Sequence, residues 1–173
     1  IFGENKIQEM TEKWEQIPKD IEWHMIGHVQ TNKVKFMAEY VSLIHGVDSL
    51  KLLEEINKQA KKHNRIIDCL LQIHIAEEET KFGLNEEELK TILNSEDFKN
   101  LENIKIIGLM GMATFTENTA QIEKEFKHLK SIFDTIRRDA INRVSIQNTD
   151  FTILSMGMSG DYQLAISCGS TMV

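Results

Sequence analysis

The chain has 173 residues, of which 41% are hydrophobic and 27% charged, with a formal net charge of −7. This length suits one domain with a buried core, and the acidic balance disfavours a nucleic-acid partner held through its phosphates. The two cysteines lack CxxC spacing and no apolar run approaches the ~18 residues of a membrane span, so we expect a cytoplasmic protein with one domain over residues 1–173.

Short apolar runs alternate with longer amphipathic stretches along the chain, as in βα units. The runs predict strands at Glu22–Ile26, Ser42–Val47, Ile66–Ile75, Ile104–Met112 and Thr152–Met156. All are short and mostly apolar, as in buried parallel strands. A further strand is expected to begin at Thr171.

The helices between these strands have recognisable ends and faces. The carboxylate of Asp48 is placed to cap one helix, and Asn85 with Glu88 resembles a capping box at the start of another. In the longest helix, apolar residues recur with the spacing of one buried stripe: Ile122, Phe126, Leu129, Phe133 and Ile136. That stripe predicts core packing.

Alternating βα units form either an open doubly wound sheet or a closed (β/α)8 barrel. The sequence has neither GxGxxG after a strand nor GxxxxGK[ST], the two commonest nucleotide-binding signatures of the open sheet. We therefore predict a barrel. In a barrel, chemistry lies at the C-terminal ends of the strands.

The last two loops, MGMSGD (Met156–Asp161) and CGST (Cys168–Thr171), are rich in small and hydroxyl residues. Such residues suit a phosphate, which needs converging backbone and hydroxyl donors. The alternative is that their glycines only serve turns, and composition alone slightly favours it.

The sequence gives only weak evidence for a metal site or a catalytic motif. His24 and His28 would form a metal-binding pair on a helix, but Gly27 and the strand pattern argue against a helix there, so no metal site is predicted. His45 is interpreted as an ordinary core or surface histidine. Without GxSxG or HExxH, the residues alone indicate a small phosphorylated ligand in a barrel and leave the reaction open.

Six segments occur together in a telling order: FGEN (2–5), WHMIGHVQTNK (23–33), TKFG (80–83), GLMGM (108–112), SMGMSGD (155–161) and GSTMV (169–173). Together they resemble the pyridoxal phosphate homeostasis proteins, a family that binds pyridoxal 5′-phosphate (PLP) and is similar to the N-terminal barrel of alanine racemase. The resemblance implies a TIM-type (β/α)8 barrel with PLP held as a Schiff base on a lysine. It also implies a role in intracellular PLP and amino-acid homeostasis, without established catalysis.

The resemblance also implies cofactor-binding positions. Ser159 and the turn of Gly169, Ser170 and Thr171 match phosphate-binding positions. Asn5 and His24 match positions near the cofactor ring, and Met110 lies on the strand that floors the pocket. Lys81 stands where the racemases have a strand-end arginine, and is either a pocket residue or an exposed loop lysine.

Two family features have no counterpart here. The Schiff-base lysine lies in a VSKTxP-like strand upstream of FGEN, and an arginine after STMV faces the pyridine nitrogen; neither is present. We therefore expect a barrel without its first strand and most of its last, and assign no catalytic residue.

The leading hypothesis is a non-catalytic, monomeric PLP-binding protein, with PLP-dependent apoenzymes as candidate partners. The main alternative is a PLP-dependent amino-acid racemase of the same fold. Racemisation needs a base on each face of the substrate, and Tyr40 and Tyr162 are the only tyrosines. A third alternative is a truncated relic that acts only through protein contacts.

Overall fold

The computed structural model describes residues 1–78, 81–142 and 151–173. Within these ranges six strands form one sheet, in which every neighbouring pair is parallel and the spatial order follows the chain. The strands are β1 Phe2–Glu4, β2 Trp23–Met25, β3 Val41–Val47, β4 Ile67–Gln72, β5 Ile104–Gly111 and β6 Ile153–Met156.

Helices connect the strands, because a parallel pair cannot be joined by a tight hairpin. They are α1 Ile7–Gln16, α2 Leu50–Lys62, α3 Glu86–Asn94, α4 Glu96–Lys99, α5 Thr119–Asn142 and α6 Tyr162–Ser167, with a 3₁₀ helix at Thr31–Phe36. None of the helices in the described ranges is long and apolar enough to cross a bilayer.

The five predicted strands are confirmed, with ends that differ by at most three residues. The sequence analysis missed β1, because three residues are too few to show a period. The predicted strand at Thr171 is represented by a single parallel bridge between Met172 and Ser155.

The predicted cap of α2 is wrong by one residue. Ser49, not Asp48, is the N-cap, and its Oγ accepts a hydrogen bond of 3.3 Å from the Leu52 N–H. The capping box of Asn85 and Glu88 at the start of α3 is confirmed.

The sheet has a helix-covered face and an inner face. The helix-covered face forms the main core, and it includes the predicted stripe of α5, of which Phe126 and Leu129 are fully buried. A separate, smaller cluster lies on the inner face and is formed by Leu43, Leu70, Ile107 and Met110.

One hydrogen bond shows that the sheet curls around this inner face. His45 on β3 and Ser155 on β6 are hydrogen-bonded at 3.1 Å, although β4 and β5 lie between their strands. In a flat sheet these strands would be about 14 Å apart. The curl and the sequential strand order confirm the barrel-type prediction, since a doubly wound sheet reverses its strand order.

Candidate functional site

The inner face carries a row of three hydrogen-bonded side chains, defined here as the inner row. His24 on β2 contacts His45 on β3 through Nδ1 and Nε2, 3.2 Å apart, and His45 Nδ1 contacts Ser155 Oγ on β6 at 3.1 Å. The exposed fractions are 7%, 4% and 8%, respectively. Three strands therefore hold one buried polar chain, and two of its members, His24 and His45, lie on neighbouring strands.

Burial keeps both imidazoles neutral near pH 7. Burial, and to a smaller extent the neighbouring His24, lower the pKa of His45 to about 4. Burial also lowers the pKa of His24, against an opposing effect of Glu22. Desolvation disfavours the charged form of a histidine, and no carboxylate lies in the row to offset it.

His24 offers one atom to a ligand. Its Nδ1 is engaged by His45, whereas its Nε2 has no hydrogen-bond partner among the described residues and is not fully enclosed. The sequence analysis identified His24 through the family motif but took His45 for an ordinary histidine. The sequence feature that could have identified His45 as a site residue is its position near the C-terminal end of β3, the strand next to that of His24.

Met110, the predicted floor of the pocket, lies in the inner-face cluster and is 6% exposed. Gln72, at the end of β4, is 2% exposed, and its Nε2 donates a 2.9 Å hydrogen bond to the Phe82 carbonyl in the following loop. Gln72 was not identified from the sequence, because a single glutamine in an apolar strand carries no motif.

The two predicted phosphate segments differ in whether their hydroxyl groups are already hydrogen-bonded within the protein. Ser159 is exposed in the loop after β6, and its hydroxyl has no partner within the described ranges. Ser170 Oγ lies 2.8 Å from the Met156 carbonyl oxygen, and Thr171 Oγ1 accepts a 2.8 Å hydrogen bond from the Leu154 N–H.

The backbone of the second segment is similarly engaged. The Thr171 N–H donates to the Leu154 carbonyl at 2.9 Å, and Gly169 adopts φ +96°, a conformation suited to glycine. Ser170 joins this turn to Met156, the first residue of the MGMSGD segment, and no hydrogen bond within the described residues joins the turn to Ser159. The two segments therefore lie side by side at the end of β6, and their phosphate-binding role stays a prediction.

Asn5 and Lys81 lie at strand ends but outside the inner row. Asn5 follows β1 and lines a surface cleft of about 190 Å³ with Lys6, His28 and Lys33. Lys81 Nζ donates to the Ala113 carbonyl and so ties the loop after β4 to the loop after β5. Thr80 of the TKFG motif lies outside the described residues.

The structure separates His24 from His28. His28 stacks on Phe82 with ring centroids 3.9 Å apart, and its Nδ1 lies 3.3 Å from Asp48 Oδ2. Among the described residues, no three His, Cys, Asp or Glu side chains are grouped so as to hold a metal ion.

Comparisons with known proteins show which family the chain resembles. Residues 1–172 match the family model of the alanine racemase N-terminal domain. A pyridoxal phosphate homeostasis protein of Aquifex aeolicus is 38% identical over 174 residues, which cover 100% of this chain and 72% of that protein.

Two solved structures are also similar. PipY of Synechococcus elongatus, solved with PLP bound, has a TM-score of 0.82 and 28% identity, and the match covers 99% of this chain and 76% of that one. An alanine racemase of Clostridium difficile has a TM-score of 0.68 and 16% identity, covering 92% of this chain and 37% of the racemase, and shows the fold alone. The chain therefore belongs to the alanine racemase N-terminal domain family, among the pyridoxal phosphate homeostasis proteins.

Proposed function

We propose that this protein binds PLP and serves intracellular PLP and amino-acid homeostasis without catalysis of its own. The observation that carries the proposal is the His24 Nε2 atom, an unpaired polar atom of a side chain that is 7% exposed on the inner face. The names of the relatives and the PLP-bound structure of PipY support the same ligand.

The residues present fit the ring and the phosphate of PLP. His24 supplies a polar contact and Met110 an apolar surface for a flat aromatic ring, and Ser159 supplies a free hydroxyl for the phosphate. Bound PLP supplies an aldehyde that condenses with primary amines, and an electron-withdrawing ring.

The remaining predicted positions stay in the proposal as cofactor-binding positions. Asn5 lines a cleft beside β1 and Lys81 ties the loop after β4 to the loop after β5, while Gly169, Ser170 and Thr171 hold the chain against β6. For the turn to bind phosphate directly, its hydroxyls would exchange backbone partners. We therefore expect Ser159 to contribute more to PLP affinity than Ser170.

The inner row favours binding over proton transfer. Burial lowers the pKa of His45 to about 4, so this ring is not poised to take a proton near pH 7, and the pKa of His24 is lowered in the same direction. The racemase alternative also needs a second base, and the Tyr40 hydroxyl is engaged with Thr11 Oγ1 at 3.0 Å beside Trp14, outside the inner row.

The proposal extends to the domain organisation, oligomeric state, location and partners of the protein. We propose that residues 1–173 belong to one PLP-binding barrel domain, that the protein is a cytoplasmic monomer, and that PLP-dependent apoenzymes receive its cofactor. Sedimentation of the purified protein would test the monomer, and transfer of PLP to an apoenzyme would test the recipient class.

Equilibrium dialysis against PLP tests the function. Ser159→Ala should weaken PLP binding about tenfold or more, since a hydrogen bond to a charged group is lost. The matched control is Ser167→Ala on α6, whose hydroxyl donates to the Leu164 carbonyl, and it should bind like the wild type. Absence of saturable PLP binding by the wild type would refute the proposal.

A racemase assay with alanine and serine separates the two functions. A binding protein should show no turnover above the level of free PLP. Borohydride reduction followed by mass spectrometry would identify any lysine to which PLP is attached. Robust turnover would establish the racemase instead.

A further inference from the structure

The protons of the inner row have two neutral arrangements. In the first, Ser155 donates to His45 Nδ1, His45 donates from Nε2 to His24 Nδ1, and His24 carries its own proton on Nε2. In the second every bond is reversed, so that His24 donates from Nδ1 and its Nε2 is a bare acceptor. The two distances of 3.1 and 3.2 Å fit both arrangements.

The Ser155 hydroxyl decides between them. In the first arrangement its proton lies in the hydrogen bond to His45. In the second it accepts from His45, and its own proton has no acceptor among the described residues, although Ser155 is only 8% exposed. A buried donor without a partner is unfavourable, so the first arrangement should dominate by about tenfold or more.

We propose that His45 and Ser155 lock His24 in the tautomer with its proton on Nε2, so that His24 presents a neutral hydrogen-bond donor to an oxygen of the bound ligand. The ligand chemistry that this donor selects is an anionic or lone-pair oxygen on a planar ring. The identification of this ligand as PLP rests on the proposed function, whereas the fixed tautomer of His24, called the lock below, is a property of the ligand-free protein.

This assignment gives the row a defined role. His45 and Ser155 are positioning residues, because they act on the ligand only through His24. A neutral imidazole N–H holds a negative oxygen without readily giving up its proton, and the pKa of His45, lowered to about 4 by burial, keeps a positive charge out of the row. The row thus suits retention of a ligand in one protonation state.

Long-range ¹H–¹⁵N NMR of ¹⁵N-histidine-labelled, ligand-free protein at pH 7.5 tests the lock directly. The ring nitrogens of His24 and His45 should both show the Nε2–H tautomer. His63, exposed at the end of α2, is the internal control and should show an unlocked tautomer mixture. A dominant Nδ1–H signal from His24, or a charged His24, would overturn the proposal.

Variants test which residues hold the lock. His45→Gln keeps an amide donor near the position of Nε2 and should preserve the His24 tautomer, whereas His45→Leu and Ser155→Ala should shift it toward a mixture. PLP affinity should fall about three- to tenfold in the latter two variants. An unchanged His24 tautomer in both would overturn the lock.

The two proposals fail separately. If the wild-type protein shows the Nε2–H tautomer and His45→Leu and Ser155→Ala shift it, but PLP does not bind, the proposed function is wrong and the lock stands. If PLP binds but His24 carries its proton on Nδ1, the lock is wrong and the proposed function stands. A dominant Nδ1–H signal from His24 in the wild-type spectrum overturns the lock even where a variant does not fold.

Discussion

Acidification should destabilise this protein through His45. The folded structure lowers the pKa of this histidine from an ordinary 6.5 to about 4, because its ring is buried beside His24. Between these values the unfolded chain binds a proton that the folded protein does not. The contribution of neutral His45 to the free energy of unfolding is therefore fully present above about pH 6.5, and it is lost as the pH falls toward about 4.

The magnitude follows from the size of the shift. A difference of about 2.5 pKa units corresponds to about 3 kcal/mol over the whole range, of which about 2 kcal/mol is lost by pH 5. His24 acts in the same direction, since its pKa is also lowered. A loss of this size is a large part of the 5–15 kcal/mol that stabilises a typical domain.

Urea denaturation at a series of pH values between 7.5 and 4.5 measures this effect. The matched control is His45→Gln, which removes the titrating ring but keeps a polar side chain. Carboxylates titrate in both proteins, so the difference between the two pH profiles isolates His45. Profiles that run parallel from pH 7.5 to pH 5 would refute the argument, as would an NMR titration of His45 with a midpoint near 6.5.

Two matched pairs test the packing. A Cβ at Gly108 would lie 1.7 Å from the Ile153 carbonyl oxygen, so Gly108→Ala should prevent folding or cost several kcal/mol, whereas Gly160→Ala, with open space around its Cβ, should change the urea midpoint little. Phe126 is fully buried and Phe115 is 92% exposed, so Phe126→Ala should lower the free energy of unfolding by about 3–5 kcal/mol and Phe115→Ala by less than about 0.5. Equal effects within either pair would contradict the packing.

Much of the fold was predictable from local patterns. Buried parallel strands are short apolar runs, and an amphipathic helix has an apolar stripe, so each element is visible in its own residues. The capping box at Asn85 and Glu88 is also local and was predicted correctly. The cap of α2 was assigned one residue early, because Asp48 and Ser49 are both good N-caps and only the backbone conformation selects between them.

The inner row was not predictable from local sequence patterns. His45 and Ser155 are 110 residues apart in sequence, and their contact depends on how strongly the sheet curls. No periodicity within β3 or β6 encodes that curl. The family motifs identified His24 and Ser159 as single positions, but they did not show that His24 belongs to a buried chain of hydrogen bonds.

The phosphate segments show why residue type alone does not define a binding site. Ser159 and Ser170 have the same hydroxyl and both follow the family motifs, yet only Ser170 is bonded to a carbonyl of β6. A donor that already has a buried partner must give that bond up to bind a ligand, so its net contribution to affinity is small. Ser170→Ala should therefore weaken PLP binding less than Ser159→Ala in the same dialysis experiment, and it should lower stability more. The reverse order would show that the turn leaves β6 when PLP binds, and that the free serine is a solvent-exposed loop residue.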